Sequence, residues 1–154
     1  MSDADTGREA VYAAEIAAFE GTSYESLVSF DELSALAAEI TSASWWPHGP
    51  IEVVPARSDA RSSSTRERGS DTPVVRLAAP QMTPATLVHE FAHVLAGLPA
   101  GHGPIFRRAH VDLTGWAFGP EQAEWLLDAY AAMELVPGRR SWPAPTLRNG
   151  PIAL

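Results

Sequence analysis

Apolar residues recur along the chain with two periods, and the switch between them divides it into helices and strands. Val11, Tyr12, Ile16 and Phe19 fall at helical spacing, so a first helix is expected to about Glu20, with Asp5 or Thr6 as its cap and Gly21 as its end. Phe30, Leu33, Leu36, Ala37 and Ile40 repeat the pattern, and Ser29 with Glu32 forms the signature of a capping box at the start of a second helix. The rigid stretch Trp45, Trp46, Pro47, His48, Gly49, Pro50 ends that helix and leads into a β-branched run at 51–54, read as a strand. Residues 57–71 are polar and serine-rich and predict an exposed, mobile loop, and residues 73–79 read as a second strand.

A helix follows almost at once. Thr83 suits its N-cap, Pro84 its first position, and Gly97 a left-handed closure. After a turn, another helix is expected from about Pro104. A last one spans 121–134, with Trp125, Leu126, Ala129, Tyr130 and Met133 available for packing. Beyond Pro137 the density of Pro and Gly predicts an extended tail or surface wrap. The pattern is that of one α+β domain over residues 1–136 with a tail at 137–154.

The helix after Thr83 carries the chemistry. Leu87, Phe91, Val94, Leu95 and Leu98 share one arc, while His89 and His93 lie about 180° from its centre and one turn apart. Two imidazoles so placed can reach one metal ion, and Glu90 stands at their flank, where a carboxylate can deprotonate a metal-bound water without itself being a ligand. From the chain's own His and Glu frequencies, the spacing HExxH arises by chance about once in eighty such sequences. The bland alternative is a solvated helix face bearing two histidines and an acid. Nine residues after His93, His102 has enough contour to return to the same ion and is the expected third ligand. His110, the competing third ligand, lies about 12 Å further along the next helix, so one ion is not expected to use both, and it reads as an ordinary helix histidine, with donating to an oxyanion or orienting a ligand as the alternatives. Asp112, Glu121 and Glu124 are weaker candidates for the third ligand. Tyr12 and Tyr130 are expected in the core, with pointing into an active site as the alternative for Tyr12 and a transition-state donor as that for Tyr130, and His48 is expected to make a loop hydrogen bond.

Composition narrows the choices. With no cysteine among 154 residues, any metal must be held by His, Asp or Glu. A net charge of −8 opposes a general electrostatic grip on nucleic acid or anionic membrane, and Arg57, Arg61, Arg66 and Arg68 are interrupted by Asp59, Glu67 and Asp71, as on a solvated loop. The acidic, polar start lacks the features of a secretory signal and no run suffices for a membrane span, which predicts a cytoplasmic protein. The strand at 73–79 offers a place for an extended peptide if it is a sheet edge, and is an ordinary internal strand otherwise.

HEFAH followed by GHGPIF resembles the metal signature of the SprT-like and WLM metallopeptidases, at His89, Glu90, His93 and His102, with Phe106 at the aromatic packing position. The segment VYAAE near the start is similar to that of small actinobacterial metallohydrolases. The resemblance implies a zincin-like fold, Zn²⁺ as cofactor and a peptide or protein substrate. This acidic, cysteine-free chain has no means of building the zinc ribbon of SprT-like proteins, which weighs against proteolysis near nucleic acid. The expected function is therefore a zinc-dependent hydrolase, foremost a metallopeptidase with Glu90 as general base. Its rivals are a non-catalytic interaction domain organised by a metal and a SprT-like protease acting beside nucleic acid.

Overall fold

A computed structural model describes residues 7–57, 61–66 and 72–146. Among them the order is α1 (Arg8–Phe19), α2 (Phe30–Ser42), β1 (Glu52–Pro55), β2 (Ser63–Arg66), β3 (Pro73–Leu77), α3 (Pro84–Ala96), α4 (Pro104–Phe118) and α5 (Pro120–Ala132). The fold is α+β. Helix α2 starts as its sequence directs: the Ser29 hydroxyl accepts from Glu32 N at 3.1 Å, and Ser29 N donates to the Glu32 carboxylate at 2.8 Å. Its buried face is Leu33, Leu36, Ala37 and Ile40.

Helix α1 departs from its expected stripe. Val11, Ala14, Ala18 and Phe19 are buried, whereas Tyr12 is 40% and Ile16 59% exposed. The alanines set the phase. Small side chains let α1 pack closely on α5, and the buried arc is rotated by about 120° from the one that Tyr12 and Ile16 define. Glu15 consequently sits inside the buried arc. The expected caps Asp5 and Thr6 lie outside the described residues, and the residue before the helix is Gly7.

The sheet has the order β1-β3-β2, with β1 parallel and β2 antiparallel to β3. Strand β2 lies inside the stretch expected to be a loop, pairing Ser63 with Arg76 and Ser64 with Val75. Its Ser-Ser-Thr-Arg sequence carries no apolar alternation because the strand is held by backbone pairing to β3, whose Val74, Val75 and Leu77 supply the buried side chains. Strand β3 is thus central, and β1 and β2 are the two edges.

Helix α3 runs through the middle of the core. Leu87, Val88, Phe91 and Leu95 are buried with Leu33, Leu36, Ile40, Trp45 and Trp46, and α3 packs most extensively on α4. Gly97 closes α3 at φ 97° and ψ 129°, a positive-φ conformation outside the expected left-handed helical basin. Leu126 and Tyr130 are buried and Ala129 packs half-buried against the core, while Trp125 and, just past α5, Met133 are 43% and 41% exposed, so three of the five expected packing residues reach the core. After α5 the described chain wraps α4 without regular structure. Gly138 N donates to Pro104 O at 2.8 Å, Arg140 pairs with Asp112, and the buried Trp142 donates its indole N–H to Asp112 at 2.9 Å. Residues 147–154 of the expected tail lie outside the described residues. Among the described residues no helix is long and apolar enough to cross a membrane.

Candidate metal centre

The N-terminus of α3 is fixed by the Thr83 hydroxyl, which accepts from Thr86 N at 3.1 Å, and by Pro84 in the first turn. From that start, His89 and His93 project one turn apart with ring centroids 5.0 Å apart. A 3-10 turn at Leu98–Ala100 and Gly101 at φ 55° reverse the chain, and His102 returns to the pair just before α4. Its ring centroid lies 4.6 Å from that of His93, and its Nε2 lies 3.3 Å from Nε2 of His89. One ligand atom from each of the three histidines falls within 4.8 Å of the others.

The 3.3 Å separation fits a hydrogen bond between the two imidazoles and equally fits a shared cation. Two nitrogens bound tetrahedrally at about 2.0–2.1 Å stand about 3.3 Å apart. His89 pairs through Nδ1 with Glu15, so its neutral form presents the Nε2 lone pair toward His102. The expected third ligand is therefore brought to the first two. The solvated-face alternative does not hold, since on that face His89 and Glu90 are buried and His93 is half-buried. Phe106 packs beneath the set, 4.4 Å from the His93 ring and 5.0 Å from those of His89 and His102.

Glu90 lines two adjoining cavities of about 270 and 290 Å³. One contains His93, His102 and Ser62 to Ser64, the other Glu15, His89 and Arg61, and Arg8 and Tyr12 border both. Burial pushes the Glu90 carboxyl up against the opposing pull of His89 and of the Ser64 hydrogen bond. A carboxyl raised in this way holds a proton more readily than a free one, as a group that takes and returns a proton requires.

Behind His89 lies a polar chain that the sequence reading passed over. Glu15 Oε1 is 2.5 Å from His89 Nδ1 and 3.1 Å from His110 Nε2, and His110 Nδ1 is 2.5 Å from the Tyr130 hydroxyl. His110 and Tyr130 are fully buried, so His110 is a member of this chain rather than an ordinary helix histidine, and Tyr130 adds a hydrogen bond to its packing. Burial opposes charge on Glu15, but the imidazoles of His89 and His110 more than offset it and hold the carboxyl well below the usual carboxylate range. The sequence signal for Glu15 was an acid centred in the alanine-rich arc of α1.

Glu15, His89 and His110 form a second group with metal-ligand proximity. Its 2.5 Å contact is a hydrogen-bond distance, and His110 lines neither cavity, so the open set of His89, His93 and His102 is the better place for an exchangeable ion.

Tyr12, expected in the core, instead stacks on His89 with centroids 5.4 Å apart and planes 6° from parallel. His48 makes the expected loop hydrogen bond, with Nε2 3.2 Å from Leu95 O. Asp112 is engaged by Arg140 and Trp142, and neither it nor Glu121 or Glu124 joins a potential ligand group among the described residues. Of the arginine-rich stretch, Arg57 is exposed and Arg61 borders a cavity, whereas Asp59, Glu67, Arg68, Asp71 and the side chain of Arg66 lie outside the described residues.

Protonation sets a pH dependence for metal uptake. Burial, reinforced by the neighbouring imidazoles of His89 and His102, holds His93 down at about 2, so it is already neutral. Burial also works against charge on His89, but Glu15 outweighs it and the net shift is upward. An incoming ion must displace that proton. Below the raised His89 value, the apparent affinity for zinc should fall by about tenfold per pH unit, with proton release detectable by calorimetry in buffers of different ionisation enthalpy. An affinity independent of pH between about 6 and 8 would contradict this assignment.

No family model matches the chain, and searches of curated proteins and of solved structures found no match either.

Proposed function

We propose that the chain is a zinc-dependent hydrolase with a zincin-like centre, acting on peptide bonds. The observation that carries this reading is the convergence of three imidazoles beside a buried carboxylate that opens onto a cleft. Three neutral nitrogens in a chain without thiolates suit zinc, and His89, His93 and His102 would hold it. Zinc bound there supplies Lewis acidity and a water of lowered pKa. Glu90 accepts the water proton and later returns it to the leaving amine. Glu15 keeps the His89 ring in the tautomer that presents Nε2. Strand β2 gives the cleft a wall of Ser63 and Ser64 at the edge of the sheet, where an extended peptide can add its backbone as a further strand. The motif and its returning histidine support kinship with the SprT-like and WLM metallopeptidases, while the net charge of −8 disfavours action on nucleic-acid-bound substrates.

The test is metal-dependent turnover. Chelator-treated protein should be inactive on a pool of casein-derived peptides, and about one equivalent of zinc should restore the release of new amino groups. His102→Ala should take up zinc far more weakly than the unaltered chain. Stoichiometric zinc in a closed four-ligand site, with no hydrolysis, would replace this reading with a metal-organised interaction domain.

A further inference from the structure

Peptide-bond hydrolysis at this centre has a requirement that the three histidines and Glu90 do not meet. When the water oxygen bonds to the carbonyl carbon, the π pair of the C=O moves onto its oxygen and the water proton passes to Glu90. When the pair returns, the C–N bond breaks and Glu90 protonates the amine. Between those events the former carbonyl oxygen is an anion, and a fixed hydrogen-bond donor aimed at it contributes selectively to the rate. The proposed function leaves this donor unassigned.

The candidates reduce by position. His110 and Tyr130 are fully buried and bonded to each other on the far side of His89 from the cleft. Ser64 is hydrogen-bonded to Glu90. Ser62 accepts from Ala78 N at 2.9 Å, which ties it to the sheet. Tyr12 borders both cavities, lies in ring contact with two of the three imidazoles (5.4 Å to His89 and 5.7 Å to His102), and is 40% exposed. Among the described residues nothing hydrogen-bonds its hydroxyl. A tyrosine that rests on the ring of a candidate ligand and borders the cleft, with no hydrogen bond to its hydroxyl among the described residues, is placed to meet a ligand.

We infer that Tyr12 is a catalytic residue that donates its phenolic hydrogen bond to the oxyanion formed from the substrate carbonyl. The inference rests on the hydrolase reading above. Tyr12 gives up no proton, so the atom balance of the reaction is unchanged, and the benefit is confined to the charged stage. The competing role, an aromatic shield over His89, needs the ring and not the hydroxyl.

Tyr12→Phe separates the two, because it keeps the ring on His89 and removes only the donor. The zinc-loaded variant should match the unaltered protein in metal content. Its affinity for an N-phosphoryl dipeptide, whose tetrahedral oxygens mimic the oxyanion, should fall by about tenfold or more. Affinity for a mercapto dipeptide, which binds through sulfur and presents no oxyanion, should change by less than about threefold. On the peptide pool, kcat should fall by about 10–100-fold with KM nearly unchanged. Equal affinities of variant and unaltered protein for the phosphoryl compound, or parallel losses for both inhibitors, would overturn the assignment. Failure of the unaltered, zinc-loaded protein to bind either inhibitor or cleave the pool would overturn the hydrolase reading itself, and is seen before any variant is made.

Discussion

Glu90→Gln is expected to retain zinc and to lose about 10²–10⁴-fold in kcat on the peptide pool, the range that a positioned general base contributes. Glutamine preserves the volume of a side chain that is 6% exposed and can still pair with Ser64, so packing at this point of α3 should survive. What it cannot do is accept and return a proton. Because Glu90 is not one of the three converging nitrogen ligands, metal stoichiometry should match that of the unaltered protein, and the decrease should appear in kcat rather than in KM. Metal analysis alongside steady-state kinetics makes the comparison. Full turnover by a zinc-loaded Glu90→Gln protein would remove Glu90 from the mechanism.

Glu15→Ala is expected to weaken zinc binding by about 10–100-fold, the range seen when a carboxylate that orients a metal-bound histidine is removed. Glu15 receives His89 Nδ1 at 2.5 Å and lies 3.1 Å from His110 Nε2, so truncation deprives two buried imidazoles of one acceptor. His89 would then be free to rotate or to place its proton on Nε2, the atom the metal needs. Glu15→Gln should fall between the two, since an amide oxygen still accepts but carries no charge. The carboxylate also contributes to stability. Its pKa is lowered on folding, so its contribution is complete above the ordinary value of 4.5 and fades as the pH falls toward the folded value. The variant and the unaltered protein should therefore converge in stability under strong acid. Competition against a chelating dye measures the affinities, and a loss smaller than about threefold would show that His89 is oriented by its own helix alone.

What the chain revealed before its fold was known depended on how far apart the partners lie. Thr83, Pro84, His89, Glu90 and His93 belong to one helix, where the spacing of residues dictates their geometry. His102 is 13 positions from His89 and comes back through a turn marked by Pro and Gly, so only contour length and the resemblance of GHGPIF to a metal signature made it a candidate. Glu15 is 74 positions from His89, and no local periodicity links them. Its signal, an acid among alanines, was obscured because Tyr12 and Ile16 drew the apolar arc of α1 to the wrong side. Strand β2 was illegible for a related reason: an edge strand made of serine, threonine and arginine owes its existence to the backbone of β3, which its own side chains do not record.

The position of α1 has a consequence for the order in which the centre assembles. The three imidazoles meet by a local chain reversal, whereas α1, although synthesised first, finds its main packing surface on α5, the last helix. Closing that long loop costs more entropy than closing the short one. The nitrogen triad can therefore form while the side that Tyr12 and Glu15 cover is still open, and α1 closes over His89 only once α5 is there to receive it.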